Sequence, residues 1–376
     1  MPEENPKIFI IAGEASGDLH ASNLVKELRL QSPGIQIEGW GGELMESSGV
    51  RILKHYRSLA FMGFAEVIMN IRTILRNFKL CKGSIEAFKP DALVLIDYPG
   101  FNLRMAEWAK QRGIKVFYYI SPQIWAWKEG RVHTIGKSVD KMYCVLPFEK
   151  DFYARFGYEV DFVGHPLLDV VSDEERFDDD SFRKKHKLSD EPIIALLPGS
   201  RKQEILTMLP VMLAAARKFD NYQIVIAAAP SQDISFYNSI VKESNVHIVA
   251  GETYPIMHAA AAGFVTSGTA TLESALFGLK QVVCYKANSI SYYIARKLIK
   301  VKYISLVNLI ADRVVVTELI QGDMNPERLH TELEKLLNDK SARTKMDSDY
   351  QEVWKMLGGP GASAKTATSM LKNMYT

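Results

Sequence analysis

Residues 264–285 read FVTSGTATLESALFGLKQVVCY. The apolar run from Gly263 to Thr266 predicts a buried strand, and Ser267-Gly268-Thr269 a small polar turn. A short helix is expected over Ala270 to Phe277, stopped by Gly278. A second apolar run, Gln281 to Tyr285, then returns to the sheet, which completes one βαβ unit. Small residues at the turn let a ligand come close to the backbone, and the first amides of a helix have no intrahelical partner. Those amides, with Ser267, Gly268, Thr269 and Thr271 around them, form a ready site for a diphosphate. Glu273 follows Thr269 by one helical turn, so the two share a face. A carboxylate only accepts hydrogen bonds, which suits ribose hydroxyls and not phosphate oxygens. The same pattern also arises at ordinary strand–turn–helix junctions, where an acid in the first turn serves only the helix dipole. The rest of the chain decides between the two readings.

The 376 residues leave room for two or three domains with sizeable cores. A composition 47% hydrophobic and 24% charged is that of an ordinary globular protein. A net charge of +2 is too mild a bias to argue for nucleic acid. Cys81, Cys144 and Cys284 are far apart and form no C-x-x-C pair, which points to a reducing compartment and no structural zinc. No apolar run approaches the roughly 20 residues of a membrane span. The acidic N-terminus, MPEENPKIFIIAGEASGD, lacks the apolar core of a signal peptide. The expectation is a cytoplasmic protein whose membrane contact is peripheral at most.

Lys7 to Ala12 predicts a first strand, followed by the loop Gly13-Glu14-Ala15-Ser16-Gly17-Asp18 and a helix carrying Leu19, Leu24, Val25 and Leu28. The loop does not match G-x-G-x-x-G. With Glu14 and Asp18 it is a poor phosphate cradle and better suited to sugar hydroxyls or a reacting proton. Ser16 or Asp18 is expected to cap the helix and to touch ligand as well. Ile35 to Trp40 predicts the next strand. Over residues 59–78, Phe64, Val67, Ile68, Ile71, Ile74, Leu75 and Phe78 fit helical spacing, with Arg72, Arg76, Lys79 and Lys82 beside them. A core helix and a helix resting on an anionic membrane both fit that pattern. Ala92 to Ile96 reads as a central strand, and Asp97 stands at its carboxyl end, where open α/β sheets bind ligands. A turn-forming aspartate before Pro99-Gly100 fits equally. Lys115 to Tyr119 predicts a strand leading into SPQIWAW at 121–127. Trp125 and Trp127, followed by Arg131, fit a lid, a sugar-stacking surface or a headgroup anchor. Strands are expected at Lys141 to Val145 and Val160 to Val163.

The stretch 171–190 is rich in charge and poor in core residues, and reads as a linker with some helix inside it. Ile193 to Leu197 starts a second sheet and ends in Pro198-Gly199-Ser200-Arg201. Ser200 and Gln203 fit a capping box. A guanidinium at a helix start opposes the dipole, so Arg201 is better explained by a phosphate partner. Strands follow at Tyr222 to Ala228 and Val246 to Val249, with a helix over Thr253 to Ala261. A basic amphipathic helix is expected over Ser289 to Lys300, a loop over Ile304 to Asn308, and helices over Asn325 to Leu337, Ser341 to Leu357 and Ala362 to Met374. The last could cross back to the first domain or to a second chain.

GEASGD at 13–18, IDYPGFN at 96–102, SPQIWAW at 121–127 and LPFEK at 146–150 stand in this order, and FVGHP at 162–166, LLPGSR at 196–201, SGTATLE at 267–273 and SLVNL at 305–309 follow. In these motifs the chain resembles the lipid-A-disaccharide synthase family of bacterial GT-B type glycosyltransferases. The resemblance implies an α/β fold of two facing Rossmann-like domains with parallel sheets and a central crevice. It divides the chain into an acceptor domain at 1–170, the linker at 171–190, a UDP-sugar domain at 191–345, and C-terminal helices at 346–376 that cross back or exchange in a possible homodimer. It implies UDP-2,3-diacylglucosamine as donor, 2,3-diacylglucosamine 1-phosphate (lipid X) as acceptor, an inverting transfer to a β-1,6 disaccharide, and no metal or cofactor. Asp97 matches the family aspartate proposed for catalysis, with Glu14 as the alternative. Ser200, Arg201, Ser267, Gly268, Thr269, Thr271, Glu273 and Asn308 fall to the donor, and Ser16, Trp125, Trp127 and Arg131 to acceptor or loop contacts. Since both substrates are acylated, the resemblance favours Phe64, Val67, Ile68, Ile71 and Leu75 as a patch on the cytoplasmic face of the inner membrane. Transfer to another lipid-linked acceptor and nucleotide-sugar binding without catalysis are the rival readings.

Overall fold

A computed structural model of the protein describes residues 5–59, 71–171, 177–241, 245–288, 292 and 301–375. The chain divides into two compact units, Met1–Asp169 with Leu357–Thr376, and Val170–Met356.

The first unit is built on a seven-stranded parallel sheet of β1 (Lys7–Ala12), β2 (Gln36–Gly41), β3 (Arg51–His55), β4 (Ala92–Ile96), β5 (Lys115–Tyr119), β6 (Lys141–Cys144) and β7 (Asp161–Phe162). Their order is β3-β2-β1-β4-β5-β6-β7. The central strand β4 is wholly buried, as its unbroken ALVLI run requires in a sheet covered on both faces. Helices α1 (Ala15–Gln31), α2 (Glu43–Ser47), α3 (Ile71–Phe88), α4 (Pro99–Lys110), α5 (Ile124–Trp127), α6 (Val132–Ser138) and α7 (Pro147–Ala154) connect the strands, and α8 (Leu167–Val171) follows β7. The order reverses between β1 and β4, and there Ala12 pairs with Ile96. Glu14 and Asp97 therefore leave the sheet at its switch point, beside each other.

The second unit repeats the plan with six parallel strands: β8 (Ile193–Leu197), β9 (Gln223–Ala228), β10 (Val246–Ala250), β11 (Ala260–Thr266), β12 (Gln281–Tyr285) and β13 (Thr317–Ile320). The order β10-β9-β8-β11-β12-β13 puts the reversal between β8 and β11, where Leu197 pairs with Val265. Pro198–Arg201 and Ser267–Thr269 thus emerge together at that switch point. The helices are α9 (Asp179–His186), α10 (Lys202–Ala216), α11 (Ile234–Asn238), α12 (Thr253–Ala259), α13 (Thr269–Leu276), α14 (Leu306–Ala311), α15 (Pro326–Asn338) and α16 (Lys340–Met356).

Several elements differ from the sequence reading. The stretch read as a linker carries the helix expected inside it, α9, but packs within the second unit: Phe182 is buried, and Lys185 and His186 bond Glu252. Of the terminal helices, α16 stays in the second unit and α17 (Ala362–Asn373) joins the first, so the change of unit falls at Leu357. SLVNL is no loop: Ser305 caps α14 by accepting from the Asn308 amide. The basic helix expected from Ser289 lies outside the described residues apart from Tyr292.

Candidate functional site

At the first switch point, β4 gives way to α4 through two residues only, Asp97 and Tyr98. Both have positive φ, 41° and 49°, though neither is glycine. Such a conformation costs an L residue roughly 1–2 kcal/mol, so the pair must be held. Asn102, on α4, donates through Nδ2 to the carbonyls of Asp97 at 2.8 Å and Ile96 at 3.2 Å. Tyr118, on β5, donates its hydroxyl to the same Asp97 carbonyl. The Tyr98 ring lies so close to Gly13 that a Cβ there would meet it at 2.4 Å, which is why the loop opens with glycine. Burial, then the nearby charge of Glu14, raises the Asp97 carboxyl to about 7, against one backbone hydrogen bond that lowers it. A carboxyl poised there can accept a proton from a hydroxyl near neutral pH.

The neighbouring loop departs from expectation. Glu14 is the N-cap residue of α1, without a side-chain capping bond, and Ser16 is exposed. Asp18 does not cap α1. It is buried and accepts from the amides of Gly42 at 2.7 Å, Leu44 at 3.1 Å and Met45 at 3.2 Å, so it caps α2 and ties the second strand's loop to the first helix. Trp125 is not a lid or an anchor: it is only 8% exposed, packs edge-on against Phe148, and donates from Nε1 to the Glu149 carboxylate at 3.2 Å. Trp127 is the exposed partner, 49% accessible, with the cations of Lys128 and Arg131 at 4.5 Å and 5.7 Å from its ring. Phe64, Val67 and Ile68 lie outside the described residues, and Ile71 opens α3. Leu75 is 58% exposed, with Leu80 also exposed on α3, while Phe78 turns inward and stacks on Phe101.

At the second switch point, Gly199 takes φ +100° and Ser200 is exposed. The capping box expected from Ser200 and Gln203 does not form, and the helix starts one residue later. Arg201 is the N-cap residue of α10, and Glu204 reaches back to its amide and, at 3.1 Å, to its guanidinium. That guanidinium remains largely exposed. Gly268 begins α13 with φ 157° and ψ −161°, a conformation only glycine adopts readily, and exposed Gly268 and Thr269 present the helix start to solvent.

Three residues expected on the donor have side-chain partners within the fold, in a brace behind this turn. Ser267 donates its hydroxyl to the Ile304 carbonyl at 2.9 Å. Thr271 is fully buried, donating to the Gly268 carbonyl at 2.8 Å and accepting from the Leu306 amide at 3.3 Å. Asn308, also fully buried, donates to Val316 and Glu318 and accepts from the amides of Val315 and Val316. Its side chain is used up within the fold. Glu318 completes the brace by accepting from the amides of Ile304 and Ser305. Glu273 differs: among the described residues its carboxyl has no hydrogen-bond or ion-pair partner, and burial alone raises it to about 7.

The first switch point therefore gathers Asp97, Glu14, Asn102 and Tyr118, and the second gathers Ser200, Arg201, Gly268, Thr269 and Glu273. Asn102, Tyr118, Glu149 and Glu318 have roles that motif reading did not assign. Asn102 stood inside a quoted motif. Tyr118 and Glu318 lie in strands whose pattern reports only burial.

The family model described as lipid-A-disaccharide synthetase matches residues 8–372. A lipid-A-disaccharide synthase of Syntrophus aciditrophicus is 42% identical over 371 residues, covering 97% of each chain. That of Nitrosococcus oceani is 41% identical, over 95% of this chain and 94% of the relative. Among solved structures, a UDP-GlcNAc 2-epimerase from Neisseria meningitidis bound to UDP-GlcNAc superposes with a TM-score of 0.68 at 14% identity, covering 98% of this chain and all of that one. The calicheamicin glycosyltransferase CalG4 gives a TM-score of 0.60 at 15% identity, over 99% of this chain and all of that one.

Proposed function

The chain belongs to the lipid-A-disaccharide synthase family of glycosyltransferases, which act in lipid A biosynthesis, and from that premise we propose that it condenses UDP-2,3-diacylglucosamine with 2,3-diacylglucosamine 1-phosphate by an inverting transfer. Asp97 takes the proton of the acceptor's 6-hydroxyl as that oxygen bonds the anomeric carbon, and the anomeric carbon–oxygen bond to UDP breaks. Burial, helped by the charge of Glu14, keeps the Asp97 carboxyl basic enough for that work. On the donor side, the exposed start of α13 and Arg201 meet the diphosphate, and Glu273 accepts from the ribose hydroxyls. Leaving UDP gains negative charge, which the helix start and the guanidinium stabilise.

The observation that carries this reading is Asp97, held in a costly backbone conformation at the switch point with its carboxyl raised to about 7. Because both substrates are acylated, we also propose that α3 and the residues before it meet the membrane surface; no helix among the described residues is long and apolar enough to cross it. The test mixes the protein with both substrates and measures UDP and disaccharide. Asp97→Asn should keep the fold and UDP binding while turnover falls about 10²–10⁴-fold. Near-normal turnover in that variant would remove Asp97 from the chemistry.

A further inference from the structure

We infer that Tyr118 and Asn102 are positioning residues for Asp97, gripping its carbonyl so that the left-handed Asp97-Tyr98 pair aims the carboxylate out of the end of β4. The inference rests on the proposed role of Asp97 as base. Two donors converge on one carbonyl: Tyr118 Oη at 2.5 Å and Asn102 Nδ2 at 2.8 Å. The same Nδ2 also lies 3.2 Å from the Ile96 carbonyl and 3.5 Å from that of Ile11, so it spans the two strands whose separation makes the switch point. Tyr118 and Asn102 are both fully buried and cannot touch substrate themselves. Asn102 even leaves its Oδ1 buried without a partner, an expense that a plain turn does not require. Tyr118 sits opposite Leu95 on the strand next to β4, which fixes its hydroxyl relative to Asp97 through the sheet. The grip acts on the Asp97 carbonyl rather than on its carboxylate, whose one backbone hydrogen bond comes from Tyr98. The charged and titratable groups around the pair are Glu14 from the first loop, Tyr98 from the turn, Tyr153 from α7 and Arg131 from the loop after α5.

Tyr118→Phe removes one hydroxyl and nothing else. It should lower kcat about ten- to a hundredfold with KM for both substrates within about twofold, because a slack carbonyl lets the carboxylate drift from its reacting position. Asp97 ionisation can be followed without turnover, as the protonated-carboxyl infrared band that is lost in Asp97→Asn. In Tyr118→Phe that band should titrate nearer the ordinary carboxylate range, as the group swings towards water. In an Asp97→Asn background, Tyr118→Phe should cost no further rate. Asn102→Ala removes the other donor and should repeat both results, which keeps the test open if one variant fails to fold. Wild-type kcat and an unmoved band in the folded variants would overturn the inference, as would an equal rate loss in both backgrounds. If the band moves but Asp97→Asn turns over normally, the grip stands and the base assignment falls.

Discussion

Asp97 and Glu273 are carboxyls kept largely from water, with no cation among the described residues to compensate, and each is raised to about 7 from an ordinary value near 4. Such groups oppose folding at high pH. Each binds a proton in the folded state over the range where the unfolded chain has already released it, so stability falls as pH rises from about 4 to 7 and is flat above. Asp97→Asn and Glu273→Gln should therefore stabilise the protein at pH 8, by on the order of 1–3 kcal/mol each, and do little at pH 4. Thermal unfolding at the two pH values checks this, and equal shifts at both would show that burial does not strain these groups. The same Glu273→Gln, or more plainly Glu273→Ala, should weaken UDP binding about tenfold or more, the loss of charge-assisted hydrogen bonds to the ribose. Calorimetry decides it: normal affinity would remove Glu273 from the donor site. The position of Asp97 was legible, because a polar residue ending an apolar strand has one place to go. Its raised carboxyl was not, since that depends first on burial by the folded chain and then on Glu14, on another strand's loop.

Among the elements, the strands with unbroken apolar runs were legible to within a residue: β1, β4, β5, β8 and β12 match the expected bounds. β3 and β13 were missed. RILKH and TELI are the outermost strands of their sheets, where charged side chains cost little and guard the edge, so no apolar signal forms. The brace around α14 was not legible for a related reason. Ser267, Thr271 and Asn308 are polar residues in a loop-like pattern, and nothing local tells a ligand contact from a partner distant in sequence such as Glu318. The structure predicts how the brace fails. Asn308→Ala orphans the amides of Val315 and Val316 in a buried place, and should destabilise the second unit by about 2–4 kcal/mol. UDP affinity should then change only as the folded fraction changes. A folded, stable variant with abolished UDP binding would return Asn308 to the donor site. For α3, the inward Phe78 and outward Leu75 divide the helix into a packed and an open face. Serine at Ile68, Ile71 and Leu75 should release the protein from anionic vesicles in a flotation assay without lowering its melting temperature. High salt should release it only in part, because apolar contact is not screened. Unfolding of the triple variant would make these side chains core.

Across the whole molecule, the chain leaves the first unit after Asp169, completes the second, and returns at Leu357 to finish the first. That return was not legible beyond its existence. α17 reads ASAKTATSMLKN, and small residues give little amphipathic signal while allowing close helix packing. In the structure Ala362, Thr366, Ala367 and Met370 are fully buried, and α17 packs along α1. The Leu357 carbonyl accepts from the His165 amide, the Gly361 amide donates to Asp169, and the hydroxyls of Ser369 and Tyr143 bond at 3.1 Å. The last twenty residues are thus a structural layer of the first unit, supplied after the second unit is complete. Ending the chain after Met356 should expose the inner face of α1 and the ends of β5 and β6. The loss of apolar burial alone is on the order of 5 kcal/mol, comparable to the whole stability of a domain. The second unit keeps every one of its strands, from β8 to β13, in that shortened chain. The truncated protein should therefore lose turnover and unfold or be digested through residues before 170, while a protease-resistant fragment beginning near Val170 still binds UDP. A truncated chain that melts as the full one does, with its first unit equally protected from protease, would show that the returning helix is dispensable to the fold.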